Sequence, residues 1–263
     1  MLKANNKVLV TISAIVLFFL IAPLIMVIIT AFGTDATIAF PIHGFTLHWF
    51  ANVFAQPDFV AGFKMSLIIA LAASLLALVI GVPLVYALTR YNVHHQAWFQ
   101  TLFLSPTFIP EIVIGFALYQ GLVITVQLPL LLTLLIGHFL LCLPYVVRLV
   151  TASMVLMDEH IEEAAWVYGS SRLKAFLTVT IPNIRASLVA AFMLCFINSF
   201  NNIPISLFLN GPDLSMLPTA ILNYLQNNYD PTVSAISVLL MLFTAAMMLL
   251  VEKGLGLKAL NEM

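Results

Sequence analysis

Within its apolar runs this chain carries one deeply placed acid, Glu111, and one amide cluster, Asn198, Ser199, Asn201 and Asn202. Side chains of these kinds exchange hydrogen bonds with a polar solute or a neighbouring helix, and a lone carboxylate can also hold a coupling ion. Placed on one helix, Asn198, Asn201 and Asn202 stand at i, i+3 and i+4 and share a face. Ser199 and Ser206 are adjacent, and Pro204 frees a backbone carbonyl. Two roles are open to the cluster: the lining of a pathway, or interhelical glue worth about 0.6–2 kcal/mol per contact. Glu111, beside Pro110 and close to a helix break at Pro106, is either a pathway charge or the partner of a buried arginine such as Arg148.

A second constellation lies between two apolar runs, where Glu163 to Pro182 reads EAAWVYGSSRLKAFLTVTIP. Asp158 suits a helix N-cap, and Ile161, Ala164, Ala165 and Tyr168 recur at i, i+3, i+4 and i+7 as one apolar stripe. Gly169 suits the stop, in the positive-φ conformation that glycine adopts without steric cost, and Ser170 or Ser171 opens a second helical turn. Asp158, Glu159, Glu162 and Glu163 crowd the first turns, where the helix dipole favours negative charge, and make the exposed face acidic. Anionic lipid selects lysine and arginine, so an acidic face points to a protein partner with basic groups.

These residues must be positioned by membrane helices. Hydrophobic residues make up 62% and charged residues 8% of 263, and the mean hydropathy is +1.09. A water-soluble domain of that composition would expose large apolar patches. Nucleic-acid binding is excluded by the lack of a basic patch. Six runs are long enough to span, near 9–31, 64–88, 99–122, 130–152, 187–208 and 233–251, with the third and fourth parted only by Gln127 and Pro129. Six spans place both termini on one side. With that side cytoplasmic, Lys3, Lys7, Arg90, Arg148, Arg172, Lys174, Arg185, Lys253 and Lys258 are all inside and only Lys64 is outside, as the positive-inside rule requires. The first run is too long for a cleaved signal and lacks a cleavage site before Gly33.

Several chemistries find no residues to carry them. There is no phosphate-binding Gly-x4-Gly-Lys-Ser/Thr loop, no nucleophile elbow and no His-Glu-x-x-His pair. Cys142 and Cys195 fall inside spans as small apolar side chains, and the six histidines make no ligand set, so neither a metal nor catalysis is expected. Energy for transport has to come from elsewhere, or from an ion held by Glu111 in a self-sufficient secondary carrier.

The 163–182 segment resembles the docking loop of the permease subunits of binding-protein-dependent ABC importers. Those carry Glu-Ala-Ala, then Gly four positions after the second Ala, then an aliphatic-x-aliphatic-Pro ending. Here these positions are Glu163, Ala164, Ala165, Gly169, Val179, Ile181 and Pro182, with Val and Ile where the family more often has Ile and Leu. SPTFIPEIVIGFAL (Ser105 to Leu118), GHFLLCLPYVVRLV (Gly137 to Val150) and GPDLSMLPTAI (Gly211 to Ile221) are similar to the polyamine-type branch. The resemblance implies an all-α membrane protein with six transmembrane helices, the type I importer transmembrane-domain fold. It would form one domain over 1–263, with the docking loop at about 155–182. It further implies a bacterial cytoplasmic membrane location with both termini cytoplasmic, and no catalytic residue or cofactor in this chain. The implied partners are a second permease, identical or homologous, two ATP-binding subunits that hold ATP and Mg, an external solute-binding protein and lipid. The polyamine branch often has an acidic pair where this chain has Asn201 and Asn202. The neutral pair weakens the case for a polyamine and admits amino-acid-like, phosphonate-like or sugar-like solutes.

Overall fold

The computed structural model describes residues 6–91, 93–212 and 214–254; Lys3 and Lys258, on which part of the charge asymmetry rests, lie outside them. Long apolar runs become helices because hydrocarbon offers the backbone no hydrogen-bond partner other than itself. Helix α1 (Asn6–Thr30) leads through a loop to α2 (His48–Ala55) and α3 (Pro57–Arg90). Next come α4 (Gln96–Leu104), prolonged by a 3-10 turn at Ser105–Phe108, and α5 (Glu111–Leu118), prolonged by a π turn at Tyr119–Thr125. The long α6 (Leu130–Leu156) precedes the short α7 (His160–Val167) and α8 (Arg172–Ala175), a π turn at Phe176–Thr180 and α9 (Ile181–Asn183). Then follow α10 (Arg185–Phe200), α11 (Pro204–Phe208), α12 (Leu217–Asn227) and α13 (Thr232–Gly254).

Among the described residues, α1, α3, α6 and α13 are each long and apolar enough to cross a membrane, and six crossings result only if two bent pairs count as one each. The first bend corrects the expectation of a continuous third span. The third run turns by 97° between its two halves. Pro110 has no N–H to give, and it forces Ile109 out of the helical region to φ −98°, ψ 131°. A second bend, of 73°, falls between Asn183 and Arg185, ahead of the expected fifth run, and within that run α10 stops at Phe200 rather than continuing to 208.

Two compact units are distinguished within the chain. The larger, Ala61–Ala220 with the chain from Met247, is built on α3, α6 and α10. Ala70, Ala73, Ser74 and Ala77 form one stripe of α3, all fully buried. Small residues let helix backbones approach closely, and close packing holds helices together where lipid supplies no hydrophobic drive. Cys142, Val146, Val150 and Met154 answer with a stripe along α6, and Ala191 and Cys195 complete this core from α10. The two thiols are free, each donating to the other residue's carbonyl oxygen. A second cluster joins Ile69, Ile114, Leu134, Ile205 and Leu209. There α11 lies against α5, because a side chain at Gly115 would meet the Ile205 Cα at 3.0 Å.

The smaller unit holds the chain up to Val60 and Ile221–Ala246. In it Trp49 donates to the Gly33 carbonyl at 2.7 Å, Phe32 stacks on Phe45, and Thr30 bonds Ser234. Tyr224 donates to Asp230 at 2.8 Å, and burial raises its phenol above the ordinary range.

Candidate functional site

The 155–182 segment folds as a helix, a tight stop and a second helix. Asp158 accepts the His160 N–H at 3.0 Å at the start of α7. At its end the Gly169 N–H reaches the Trp166 carbonyl at 2.9 Å and the Ser170 N–H reaches Ala165 at 3.0 Å. That bond pair needs a left-handed residue between them, and Gly169 supplies it at φ +84°. Ser171 then caps α8 by accepting from the Lys174 N–H. Pro182 sits in α9, just before the bend that leads into α10.

The outward face departs from the expectation at one acid: Asp158, Glu159 and Glu163 are exposed, and Glu162 is not. Glu162, placed with the exposed acids by the sequence, is 1% exposed, while Val167 and Tyr168 are 87% and 91% exposed. Leu156, Ile161, Leu173 and Leu177 are also exposed. The cause lies far off in sequence, at the end of α3. Tyr86 donates to Glu162 Oε2 at 3.0 Å, Thr180 donates to Oε1, and the Arg90 guanidinium approaches Oε1 at 3.8 Å. Arg90 also donates to the Met157 carbonyl at 3.0 Å. A carboxylate with that many donors is worth burying, and turning it inward turns the apolar stripe out. Glu162, Tyr86, Arg90 and Thr180 form a network that sequence reasoning missed. The only local signal was a span that ends in an arginine.

Glu163, Ala164 and Gly169 stay on the exposed side, and Ala165 is half-buried. Glu163 bonds His160 at 2.8 Å. That bond, with the charge of Asp158, holds the imidazole above its ordinary value of 6.5. A raised histidine contributes stability that is complete below the unfolded value and fades as pH rises through the folded one. The expected result is an NMR titration midpoint for His160 above 6.5 that moves down in Glu163→Gln.

The amide cluster is dispersed rather than collected on one helical face. Asn198 is on α10 and donates to the Tyr145 hydroxyl at 2.7 Å. Asn201 ends that helix, exposed, with its amide on the Ile197 carbonyl. Ser199 is fully buried against His138, which spans from Ser199 at 2.7 Å to Ser206 at 3.2 Å. Asn202 lies beyond the helix end, so the i, i+3, i+4 argument fails for it. Its Oδ1 instead accepts the Ile205 N–H at 3.0 Å, capping α11. Its Nδ2 donates to Glu111 Oε2 at 2.7 Å.

Glu111 is therefore partnered by Asn202. Arg148 is exposed, and among the described residues no ion pair joins it to Glu111. Glu111 also lines a cleft of about 120 Å³, bounded by Pro106, Thr107 and Ile109 and by Leu141, Pro144 and Tyr145 of α6. Asn202→Leu removes the cap and the amide donor together. A cap is worth about 1 kcal/mol and a bond to a charged group about 1.5–3, so thermal unfolding should show a loss of about 2–4 kcal/mol. Among the described residues no group of three His, Cys, Asp or Glu could hold a metal ion.

No protein-family model matches the chain. Curated proteins do. The putrescine transport system permease protein PotI of Escherichia coli (strain K12) is 24% identical over 85% of this chain and 82% of its own. The spermidine/putrescine transport system permease protein PotC of the same strain is 25% identical over 88% and 87%. The putative 2-aminoethylphosphonate transport system permease protein PhnV of Salmonella paratyphi A is 28% identical over 95% and 94%. The fold is shared with a bacterial ABC transporter involved in the import of the acidic polysaccharide alginate, at a TM-score of 0.71 and 15% identity over 96% of this chain and 98% of that one. Across nearly its whole length this chain is similar in sequence to permease proteins of putrescine, spermidine/putrescine and 2-aminoethylphosphonate transport systems, and it shares its fold with an ABC transporter.

Proposed function

We propose that the chain forms half of the transmembrane pathway of a bacterial importer, paired with a second permease and driven by two ATP-binding subunits. An external binding protein delivers a small polar organic solute, polyamine-like, amino-acid-like or phosphonate-like. The chain is non-catalytic, and ATP and Mg are held by the partners. It lies in the cytoplasmic membrane with both termini cytoplasmic, and α7 and α8 dock on an ATPase subunit. The observation that carries this reading is the exposed apolar surface of Leu156, Val167, Tyr168 and Leu173 around the Gly169 turn. These residues belong to the segment that the positive-inside count places in the cytoplasm, where an uncovered apolar patch marks a protein interface.

Relatives that are importer permeases favour this reading over a self-sufficient carrier coupled through Glu111. Reconstitution tests it. The assembled complex with its binding protein should take up solute only when ATP is supplied, and the chain alone should conduct nothing. Robust uptake by the lone chain in liposomes without nucleotide would refute the importer reading. In the assembled complex, Asn202→Leu should impair transport while basal ATP hydrolysis is largely kept.

A further inference from the structure

We infer that Arg90 couples the docking segment to the membrane helices: its guanidinium holds one bond in reserve and closes it on Glu162 when an ATP-binding subunit docks. This rests on the docking reading of α7 and α8 and adds how engagement there reaches α3.

The network around Glu162 is one bond short. Arg90 Nε is buried and, among the described residues, has no hydrogen-bond partner. It stands 3.8 Å from Glu162 Oε1, close enough for charge attraction and too far for a hydrogen bond. A buried N–H of a charged group is costly to leave unpaired, so a nearer acceptor is favoured wherever the surroundings yield one. Glu162 has room for it: Thr180 takes one site on Oε1 and Tyr86 one on Oε2, whereas a carboxylate accepts about four bonds. A charge-assisted N–H···O bond is about 2.7–2.9 Å long, so α7 has to approach the end of α3 by only about 1 Å.

The exposed face of α7 shows where the push comes from. Glu162 is buried on the side of α3, while Ile161, Val167 and Tyr168 are exposed. A protein seated on those residues presses α7 toward α3. The rest of the joint already ties the two together. Arg90 Nη2 is held on the Met157 carbonyl at 3.0 Å, and the Tyr86 ring meets Phe176 edge-on at 4.7 Å. The Arg172 guanidinium lies over Trp166 at 5.6 Å and over Tyr91 at 5.8 Å, joining α7 and α8 to the residue that follows α3. Helix α3 runs unbroken back to Pro57, and near that end Ser66 accepts the Leu217 N–H at 2.9 Å at the head of α12. A displacement of its inner end is thereby carried to the outer side, where an external binding protein acts.

A distance measurement tests the reserve bond directly. The chain is labelled with nitrogen-15 at arginine Nε and carbon-13 at glutamate Cδ, and dipolar dephasing is read by solid-state NMR in proteoliposomes, with the ATP-binding subunits in place and after they are stripped off. Dephasing should be at least twofold stronger with them in place, and Glu162→Gln, which leaves no label at that position, should remove the difference. Equal dephasing in the two states, or a difference that survives Glu162→Gln, would overturn the inference. A second measurement reads the consequence. Arg90→Lys keeps the charge but not the planar fork, so it cannot hold Met157 and reach Glu162 together. The ATP-binding subunits should still co-purify, while the ratio of binding-protein-stimulated to basal ATP hydrolysis falls at least fivefold. A residue that only supported the fold would lower abundance and association and leave that ratio unchanged, so an unchanged ratio also overturns coupling. Should Arg90→Lys fail to assemble, the dephasing of the unsubstituted complex decides. The docking reading fails on a different result: an unsubstituted chain with which no ATP-binding subunit co-purifies.

Discussion

Glu162→Ala is expected to destabilise the chain by about 3–5 kcal/mol, the range for removing one partner of a buried ion pair. Glu162 is 2% exposed and Arg90 12% at the side chain, so neither can recover its lost partner from bulk water. Among the described residues the Arg90 guanidinium keeps only the Met157 carbonyl, and Tyr86 and Thr180 each lose an acceptor. Thermal unfolding of the purified chain with its partners measures the effect. A loss below about 1 kcal/mol would mean that the network is not what holds α7 against the end of α3. A control separates charge from contact. Glu162→Gln with Arg90→Met keeps an acceptor for the hydroxyls and removes both charges, and it should cost much less than Glu162→Ala because a buried pair replaced as a unit is close to neutral. Beyond stability, Glu162→Ala should tilt α7 and weaken ATPase association, since this carboxylate fixes which face of the helix is presented.

Gly169→Val should abolish co-purification of the ATP-binding subunits and with it transport, while membrane insertion and abundance stay near wild type. At φ +84° a β-branched residue costs about 1–2 kcal/mol and opens the turn. A Cβ at this position meets nothing within 4 Å in the chain itself. The strain is therefore in the backbone rather than in packing. Asparagine tolerates the left-handed region, so Gly169→Asn should retain most of the association. Glu163→Lys reverses a charge on the same exposed surface and should weaken docking without altering the turn. If Gly169→Val and Glu163→Lys both keep full ATPase association and uptake, the segment is an ordinary connector.

Hydropathy and local turn chemistry were readable from the chain alone. A helix in lipid satisfies its own backbone, so apolar run length translates directly into helix, as in α1, α3, α6 and α13. The αL stop at Gly169, the Asp158 bond at the start of α7 and a serine cap for α8, at Ser171 of the two candidates, were legible because each depends on bonds spanning only a few residues. What only the tertiary structure decided involves partners far apart in sequence. The choice of Glu162 rather than Glu163 as the buried acid depends on Tyr86, 76 residues away. The pairing of Glu111 with Asn202 rather than Arg148 spans 91 residues. Both follow from where the helices end and bend, at Arg90, Pro110 and Phe200. Periodicity carries no record of such points once a helix has stopped, which is why three asparagines spaced for one face were distributed among three different partners.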